Sequence, residues 1–395
     1  MPVAVLPPTQ YGPGRPSRSP VLGVLSTYPP TQCGLATFSA ALVEQLNRQP
    51  GTAEVVRIVD RPESHPGGEV AAHLVNSSLS SAAAAVRRLN GSGAVVVQHE
   101  YGIYGGPDGA DVVDLVEALT VPVIVVMHTV LQEPSSRQRR ILLQLLAAAD
   151  VVVTMTETAR TRLVADYGAD PAAVVVVPHG AADHGAPDVA VRAARLAAER
   201  PLVLTWGLLG PGKGIESAID ALPGLRDLAP RYLVAGRTHP KVLERDGERY
   251  REGLRRRAVD LGVADALELD ARYLRSGELA DLVQRADVVL LPYDSREQVT
   301  SGVLIEAVAA GRPVVSTAFP HAVELLGDGT GLVVPQRDPA ALGAALRRVL
   351  AEPGLADDMA DRAARKAPDL LWSAVAARYL RIAESLVASR VVVVS

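Results

Sequence analysis

A glycine-rich turn followed by a lysine is the first segment of this 395-residue chain whose residues could do chemistry. The stretch from Thr205 to Glu216 reads TWGLLGPGKGIE, with an apolar run before it and an amphipathic run after it. A strand that ends in such a turn and leads into a helix presents unpaired N–H groups that suit a phosphate. Lys213 adds a full positive charge, and Gly207 opens the turn. The segment therefore predicts an anion site.

Two other interpretations of this turn stay open. The spacing Gly207-x4-Gly212-Lys213 matches the P-loop of nucleoside triphosphatases up to its last position, where Gly214 replaces the Ser or Thr whose hydroxyl would hold Mg²⁺. Pro211 also removes one N–H from the cradle. A tight strand-to-helix turn that carries a surface lysine is the simpler alternative.

The start of an apolar helix near residue 300 predicts a second anion site. Ser301 is a favourable N-cap, and the N–H groups of Ser301, Gly302 and Val303 would be free at this end. The rest of the helix is almost wholly apolar except for Glu306, and a lone buried carboxylate is costly unless it is paired or hydrogen-bonded. A diol such as the O2′/O3′ pair of ribose would satisfy it, and a salt bridge to Arg312 is the alternative.

Polar residues also follow an apolar run in the N-terminal half of the chain. His99, Glu100 and Tyr101 precede the glycine-containing stretch 102–106, as expected of residues that bind an acceptor at the carboxyl end of a strand. A hydrogen-bonded loop anchor explains them equally well. His179 follows another apolar run and fits a hinge contact as well as a ligand contact. His, Cys and Asp residues nowhere show metal-ligand spacing, so no divalent metal is expected.

These segments need elements that position them, and the chain alternates short Val/Ile/Leu runs with longer amphipathic stretches. Continuous apolar runs are typical of parallel strands covered on both faces, and their alternation with helices indicates doubly wound sheets. The predicted strands span residues 21–25, 55–59, 94–98, 121–127, 151–155, 174–177, 202–206, 232–235, 266–269, 288–291, 313–316 and 331–334. The predicted helices span residues 36–46, 214–221, 250–261, 276–285, 301–310, 339–350 and 369–388.

The fold class expected from this pattern is α/β, with two Rossmann-like parallel-sheet domains that place a ligand cleft between the carboxyl ends of their strands. We divide the chain into a disordered leader at 1–19, an N-terminal Rossmann-like domain at 20–190 and a C-terminal Rossmann-like domain at 195–370. A charged, alanine-rich linker spans 186–200.

Composition narrows the class of protein further. The net charge of −4 does not favour a nucleic-acid partner, which usually needs a basic face. Cys33 is the single cysteine, which excludes an internal disulfide and fits a reducing compartment; we read it as a small loop residue. No apolar stretch approaches the roughly 20 residues of a membrane span. A cytoplasmic protein is expected.

The ordered set of motifs resembles the family 4 retaining glycosyltransferases, group 1, of the GT-B fold, and more particularly a mannosyltransferase-like subgroup. The matching stretches in the C-terminal half include GLLGPGKGIESAIDAL, YLVAGRTHP and SGVLIEAVAAGRPVVST. Those in the N-terminal half include STYPPTQCGLATFSAALVEQL, QHEYGIYGG and VVVVPHGA. Together they cover about residues 20–388.

The resemblance implies a metal-independent hexosyltransferase that takes a nucleotide-sugar donor, GDP-mannose or a UDP-sugar, and a glycan or glycolipid acceptor. It implies that the N-terminal domain binds the acceptor and the C-terminal domain binds the donor. It also implies that the final helix, about 372–395, crosses back onto the N-terminal domain and completes it. Its matched residues are Gly34, whose backbone approaches the donor phosphates, His128 near the donor sugar, Lys213 on the diphosphate, Glu306 on the ribose, and Arg272 and Tyr273 beside the nucleobase.

The chain departs from the family pattern at two positions. Gln298 stands eight residues before Glu306, where the family has its first motif glutamate, and Glu297 is one residue out of register. An amide can orient a sugar hydroxyl but cannot stabilise developing positive charge. Thr300, which follows in the same loop, is counted with the donor-binding residues.

The second departure is Leu208, which stands where the family has a phosphate-binding arginine, five residues before Lys213. Arg237 and Arg296 are the candidate substitutes. Three rival functions remain: a sugar-nucleotide epimerase or a phosphorylase of the same fold, and a catalytically weak relative that only binds a sugar nucleotide. Peripheral membrane contact stays open, although no basic amphipathic helix demands it.

Overall fold

A computed structural model describes residues 20–64, 67–183, 185 and 199–394. The expected leader at 1–19 and most of the expected linker lie outside these residues. The described chain forms two parallel sheets with helices on both faces, which confirms the α/β fold class.

The N-terminal sheet has the strand order β3-β2-β1-β4-β5-β6-β7. Its strands are β1 (Leu22–Ser26), β2 (Ala53–Val59), β3 (Val70–Val75), β4 (Ala94–His99), β5 (Val123–Met127), β6 (Val151–Thr154) and β7 (Val174–Val176). Its helices are α1 (Gly34–Leu46), α2 (Leu79–Leu89), α3 (Asp111–Glu117), α4 (Ser136–Ala148) and α5 (Glu157–Tyr167). The order reverses between β1 and β4, and ligands of such sheets bind outside the strand ends at this point.

The C-terminal sheet repeats the same order as β10-β9-β8-β11-β12-β13. Its strands are β8 (Leu202–Trp206), β9 (Arg231–Ala235), β10 (Leu267–Asp270), β11 (Val288–Leu291), β12 (Val314–Thr317) and β13 (Gly331–Val334). The helices that follow are α6 (Ile215–Ala221), α7 (Pro240–Asp246), α8 (Arg249–Asp260), α9 (Ser276–Arg285), α10 (Gly302–Ala309), α11 (Pro320–Leu326), α12 (Pro339–Ala351), α13 (Leu355–Leu370) and α14 (Trp372–Val394).

Burial on both faces of each sheet explains the continuous apolar runs. Val24 pairs with Val55 and Val96 and packs with them into the cluster on one face of the N-terminal sheet. Leu25 and Val97 point to the opposite face and belong to a second cluster. Both sets are shielded from solvent, so neither face tolerates the polar residues of an exposed sheet.

Several elements differ from the prediction, and helices α7, α11 and α13 were not predicted. Strand β3 was missed because its sequence, VAAHLV, lies at the edge of the sheet, where most of its residues are only partly buried. The last helix does not begin at residue 369, because Leu371 is extended and separates α13 from α14. At this break Ala181 donates its N–H to the Leu370 carbonyl (2.8 Å) and accepts the N–H of Trp372 (2.9 Å).

Helix α14 packs on the N-terminal sheet, although it follows the C-terminal one. Val375 and Tyr379 are fully buried in the cluster that contains Phe38 and Leu42 of α1. Where the chain crosses over, a Cβ atom at Gly180 would lie 2.1 Å from the Trp372 ring, so only glycine fits there.

A carboxylate from the C-terminal domain caps helix α5 of the N-terminal domain. Thr156 is the N-cap of α5, and its hydroxyl accepts the N–H of Ala159 at 3.1 Å. Glu324, on α11, accepts the N–H groups of Glu157 (2.8 Å) and Thr158 (2.9 Å) at the same helix end. A charged acceptor at a helix N-terminus is favourable, so this contact holds the two domains together.

Candidate active site

A cavity of about 1240 Å³ lies between the carboxyl ends of the two sheets. Loops that follow β1, β4 and β5 line one wall, and loops that follow β8, β9, β10 and β11 line the other. Most ligand pockets have volumes of roughly 300–1,000 Å³, so this cavity has space for a large ligand or for two ligands side by side.

The turn that carries Lys213 faces this cavity. The Lys213 ammonium lies 4.3 Å from the centroid of the Tyr293 ring, in a cation–π contact. Gly214 has φ +63°, and a Cβ atom there would lie 1.7 Å from the Pro292 carbonyl oxygen. No Ser or Thr fits at this position, so the turn cannot carry the hydroxyl that holds Mg²⁺ in a P-loop. Lys213 lines the cavity.

Two glycine turns contact each other in the wall of the cavity that the C-terminal domain forms. Gly207 has φ +117°, and a Cβ atom at Gly236 would lie 2.0 Å from its carbonyl oxygen. This contact places Arg237 at the cavity, where its guanidinium donates to Gln32 Oε1 of the opposite domain at 2.7 Å. Of the two candidate substitutes for the missing arginine, Arg237 lines the cavity and Arg296 does not.

The start of α10 offers fewer free N–H groups than expected. The Ser301 N–H donates to His321 Nδ1 at 2.8 Å, so the prediction that it is free was wrong. Burial lowers the pKa of His321 to about 3, which keeps its ring neutral and able to accept this bond. The N–H groups of Gly302 and Val303 remain at the cavity, and the ring of His179 packs against Gly302.

Glu306 lies in the C-terminal wall of the cavity, and its carboxylate has no ion-pair partner among the described residues. It accepts the indole N–H of Trp206 at 3.3 Å, and burial raises its pKa to about 7. Arg312, the alternative partner considered above, donates to the carbonyls of Ala310 (3.1 Å) and Gln284 (3.0 Å) instead. The carboxylate therefore retains lone pairs for a ligand diol.

The loop before α10 places Gln298 and Thr300 at the cavity. The Gln298 side chain donates to the Thr300 carbonyl at 3.1 Å. The Thr300 hydroxyl is buried and has no hydrogen-bond partner in the described part of the chain. Glu297 lines the cavity too, but its carboxylate accepts the Gln132 N–H of the opposite domain at 2.9 Å.

The N-terminal wall carries the histidine assigned to the donor sugar. His128 Nε2 lies 2.6 Å from Gln98 Oε1, so this nitrogen bears the proton of the neutral ring. Burial lowers the pKa of His128 to about 3, with a smaller contribution from His179. The Phe38 ring packs edge-on against it, at 5.0 Å between centroids. The site therefore presents a neutral imidazole of fixed orientation.

Gly34 lies at the start of α1, where nothing in the described chain would contact an added Cβ atom within 4 Å. The space above this glycine is therefore open to a ligand. Cys33 is the N-cap of α1 rather than a plain loop residue, because its sulfur accepts the Ala36 N–H at 3.4 Å.

The three predicted acceptor residues do not share one environment. His99 is fully buried away from the cavity, and neither of its ring nitrogens has a hydrogen-bond partner among the described residues. Tyr101 is buried in the core below the site, where it donates to the Gln138 carbonyl at 3.3 Å. Neither of these two side chains lines the cavity. Glu100 does line the cavity; it accepts the Thr129 hydroxyl, and burial raises its pKa.

The loop assigned to the nucleobase lines the cavity on the side of the C-terminal domain. Arg272 is ion-paired with Asp270 at 2.7 Å, and the Tyr273 ring beside it is 48% exposed. The lining residues that the sequence did not indicate include Trp206, the last residue of β8, and Thr129, whose hydroxyl donates to Glu100. Trp206 is one of two tryptophans and ends a strand, which was the available signal.

The described residues contain no cluster of three His, Cys, Asp or Glu side chains that could hold a metal ion. In the same part of the chain, no helix has the length and apolarity of a membrane span.

Two Rossmann-like sheets that face each other across a cleft define the GT-B architecture. In this chain the cleft also contains a cationic turn and a buried carboxylate. Solved structures of that architecture match the whole described fold. Anabaena HepE in complex with UDP has a TM-score of 0.75 and 15% identity, over 93% of this chain and 100% of that one. Sucrose-phosphate synthase from Thermosynechococcus elongatus has a TM-score of 0.72 and 19% identity, over 93% and 100%.

Both halves of the sequence also match family models. Residues 34–184 match the model for Glycosyltransferase Family 4, and residues 200–352 match that for Glycosyl transferases group 1. The chain therefore belongs to the family 4, group 1 glycosyltransferases.

Curated relatives include the D-inositol 3-phosphate glycosyltransferase of Kineococcus radiotolerans, 33% identical over 62% of this chain and 60% of the relative. A GDP-mannose-dependent alpha-(1-6)-phosphatidylinositol monomannoside mannosyltransferase of Mycolicibacterium smegmatis is 33% identical, over 52% of this chain and 54% of that protein. The chain thus spans little more than half the length of these relatives.

Proposed function

We propose that this chain transfers a hexose, with mannose favoured, from a nucleotide-diphosphate sugar to a hydroxyl of a glycan or glycolipid. The observation that carries the proposal is the shared cavity, which is lined by Lys213, by Arg237 and by Glu306, a carboxylate with no ion-pair partner in the described part of the chain. The cations suit a diphosphate, and the carboxylate suits the diol of a ribose. Such a ligand places its sugar beside His128 and Gln298.

The chemistry needs stabilisation of the leaving nucleoside diphosphate. Lys213, Arg237 and the N–H groups of Gly302 and Val303 supply it without a metal ion. We propose retention of configuration: the acceptor oxygen attacks the anomeric carbon on the face that the phosphate leaves. The bond from that carbon to the phosphate oxygen breaks as the new glycosidic bond forms, and a β-phosphate oxygen takes the acceptor proton.

The relatives support the donor and acceptor classes. The mycobacterial relative is named for GDP-mannose and a phosphatidylinositol mannoside, and the actinobacterial relatives are named for D-inositol 3-phosphate. The HepE structure contains UDP. We favour GDP-mannose as donor, with UDP-glucose as the comparison.

A two-stage experiment tests the proposal. The melting temperature of the purified chain is first measured with GDP-mannose, GDP, UDP-glucose and UDP, and one nucleotide sugar should raise it. Transfer is then assayed with that donor against D-inositol 3-phosphate and a phosphatidylinositol mannoside, and NMR of the product gives the anomeric configuration. Absence of both binding and transfer would contradict the proposal, and an inverted product would contradict retention.

A catalytically weak binding protein is the second candidate. Two features favour it: Leu208 in place of a phosphate-binding arginine, and the bond that ties the Gln298 amide to its own loop. Donor hydrolysis without an acceptor, at a rate no higher than that of the free donor, together with tight nucleotide binding would support this candidate. Isomerisation of the donor alone would identify an epimerase, and phosphate-dependent release of the sugar would identify a phosphorylase.

A further inference from the structure

The segment 297–300 belongs to the C-terminal domain, but two of its side chains have their partners in the N-terminal domain. Val299 is 2% exposed and belongs to the apolar cluster of the N-terminal domain, together with Val130 and Tyr167. Glu297 Oε2 accepts the Gln132 N–H at 2.9 Å and contacts Arg162 Nη1 at 3.0 Å.

The Arg162 side chain that makes this contact is held in position within the N-terminal domain. Its side chain is buried, and the same nitrogen donates to the Val130 carbonyl at 2.8 Å. Val130 and Gln132 belong to the loop after β5, which begins with His128 and Thr129 at the cavity wall. A bond to Glu297 therefore joins the donor loop directly to the loop that carries the histidine.

All four residues of the segment line the cavity, but their partners alternate between the two domains. Glu297 and Val299 have partners in the N-terminal domain, whereas the Gln298 amide donates to the Thr300 carbonyl of its own loop. Alternation of this kind is expected of an extended segment, whose successive side chains point to opposite sides. The groups that would hold the nucleotide, Lys213 and Glu306, lie wholly in the C-terminal domain.

We propose that Glu297 and Val299 are positioning residues that tie domain closure to assembly of the donor-sugar part of the site. This inference rests on the proposed function. When the domains separate, the anchors leave their partners and Gln298 and Thr300 lose their fixed places beside the sugar, whereas the nucleotide part stays intact. The register shift that puts the glutamate at 297 thus gives it a bonding partner across the cleft in place of a ligand.

The test separates nucleotide binding from transfer. Glu297→Ala removes both cross-domain bonds, Glu297→Gln removes the charge but keeps an acceptor for the Gln132 N–H, and Val299→Ala weakens the apolar anchor. We expect the Kd of the nucleoside diphosphate to change by less than about twofold. We expect kcat/KM for transfer to fall about 10- to 100-fold in Glu297→Ala, with Glu297→Gln in between, because misplaced groups lose much of their catalytic effect.

A matched control exists within one domain. Arg57 is also a buried arginine that donates to a carbonyl, that of Tyr28 at 3.0 Å, and it pairs with Glu63 at 2.7 Å. Glu63 does not line the cavity, and Glu63→Gln leaves Arg57 its bonds to the Tyr28 carbonyl and to the Thr31 hydroxyl at 3.1 Å. This variant should therefore leave kcat/KM unchanged. Equal losses of kcat/KM in Glu63→Gln and Glu297→Gln, or no loss in Glu297→Ala, would overturn the proposal.

A second measurement does not depend on transfer. Small-angle scattering of the nucleotide-loaded protein should give a larger radius of gyration for Glu297→Ala than for wild type, and the same value for Glu63→Gln. If wild type binds nucleotide without transferring sugar, the proposed function fails while the scattering result still decides the role of Glu297. An unchanged radius in Glu297→Ala would refute that role.

Discussion

Replacing Glu306 with glutamine should stabilise the fold and weaken nucleotide binding at the same time. Burial raises the pKa of Glu306 from 4.5 to about 7. That shift corresponds to about 3 kcal/mol, which the folded chain loses by keeping a desolvated carboxylate at high pH. Glutamine has no charge to desolvate, and its oxygen can still accept the Trp206 N–H, which Glu306 accepts at 3.3 Å.

The sign of the effect follows from proton binding. Because the folded pKa is the higher one, between pH 4.5 and about 7 the folded state binds more protons at this site than the unfolded state does. The contribution of Glu306 to the free energy of unfolding therefore falls as pH rises through this window, and the full penalty remains above it. Glu306→Gln should exceed wild type in stability by up to about 3 kcal/mol at pH 8, and by nearly nothing below pH 4.5.

Nucleotide binding should change in the opposite direction. The carboxylate can accept both hydroxyls of a ribose, and hydrogen bonds to a charged group contribute about 1.5–3 kcal/mol, so Kd should rise about 10- to 100-fold. Chemical denaturation at pH 8 and pH 5 and calorimetric titration with GDP and UDP measure the two effects. Glu268→Gln, on the exposed edge strand β10, makes the same change in net charge and should do neither. A variant less stable than wild type at pH 8, or one with unchanged nucleotide affinity, would refute the reasoning.

Three further predictions concern the cationic turn and the metal independence of the reaction. Lys213→Ala should lower kcat about 100-fold while changing the free energy of unfolding by no more than about 1 kcal/mol, since its described contact is the cation–π pair with Tyr293; equal losses in both would indicate a structural role. Gly214→Ser should destabilise the fold by at least about 3 kcal/mol in a denaturant titration, because its Cβ would lie 1.7 Å from the Pro292 carbonyl. Transfer rates should be the same with and without EDTA, and a loss that Mg²⁺ restores would contradict metal independence.

The strands could be predicted from the sequence because their burial is two-sided. Strands β8, β11 and β13 begin and end at the predicted residues, since turn-forming or charged residues bound each apolar run. Strand β3 carries no such signal, because an edge strand with partly exposed residues reads like a loop. The break at Leu371 was hidden too: it depends on pairing with Ala181, far away in the sequence.

The positions of the site segments could also be predicted, but the state of single groups could not. Whether the Ser301 N–H is free depends on His321, twenty residues later, whose ring reaches back to accept it. Whether a residue at a strand end faces the cleft or the core depends on a single step along the chain: His99 is buried, and Glu100 lines the cavity. The regular pattern of apolar residues stops where the strand ends. The sequence therefore does not show which of the two residues faces the cleft.

The two departures from the family pattern have the same structural consequence. Arg237, the cation that lines the cavity in place of the residue missing at Leu208, donates to Gln32 of the opposite domain at 2.7 Å. Glu297, beside the family's glutamate position, bonds to Gln132 across the same cleft. In both cases a charged side chain that lines the cavity is held by a bond to the other domain. Arg237 follows the Gly236 turn of the C-terminal domain, so its bond to Gln32 fixes the direction of the guanidinium rather than its presence at the cavity. Under the proposed function, closure would also remove the water that screens both cations, and the leaving diphosphate would be stabilised most once the N-terminal wall is in place.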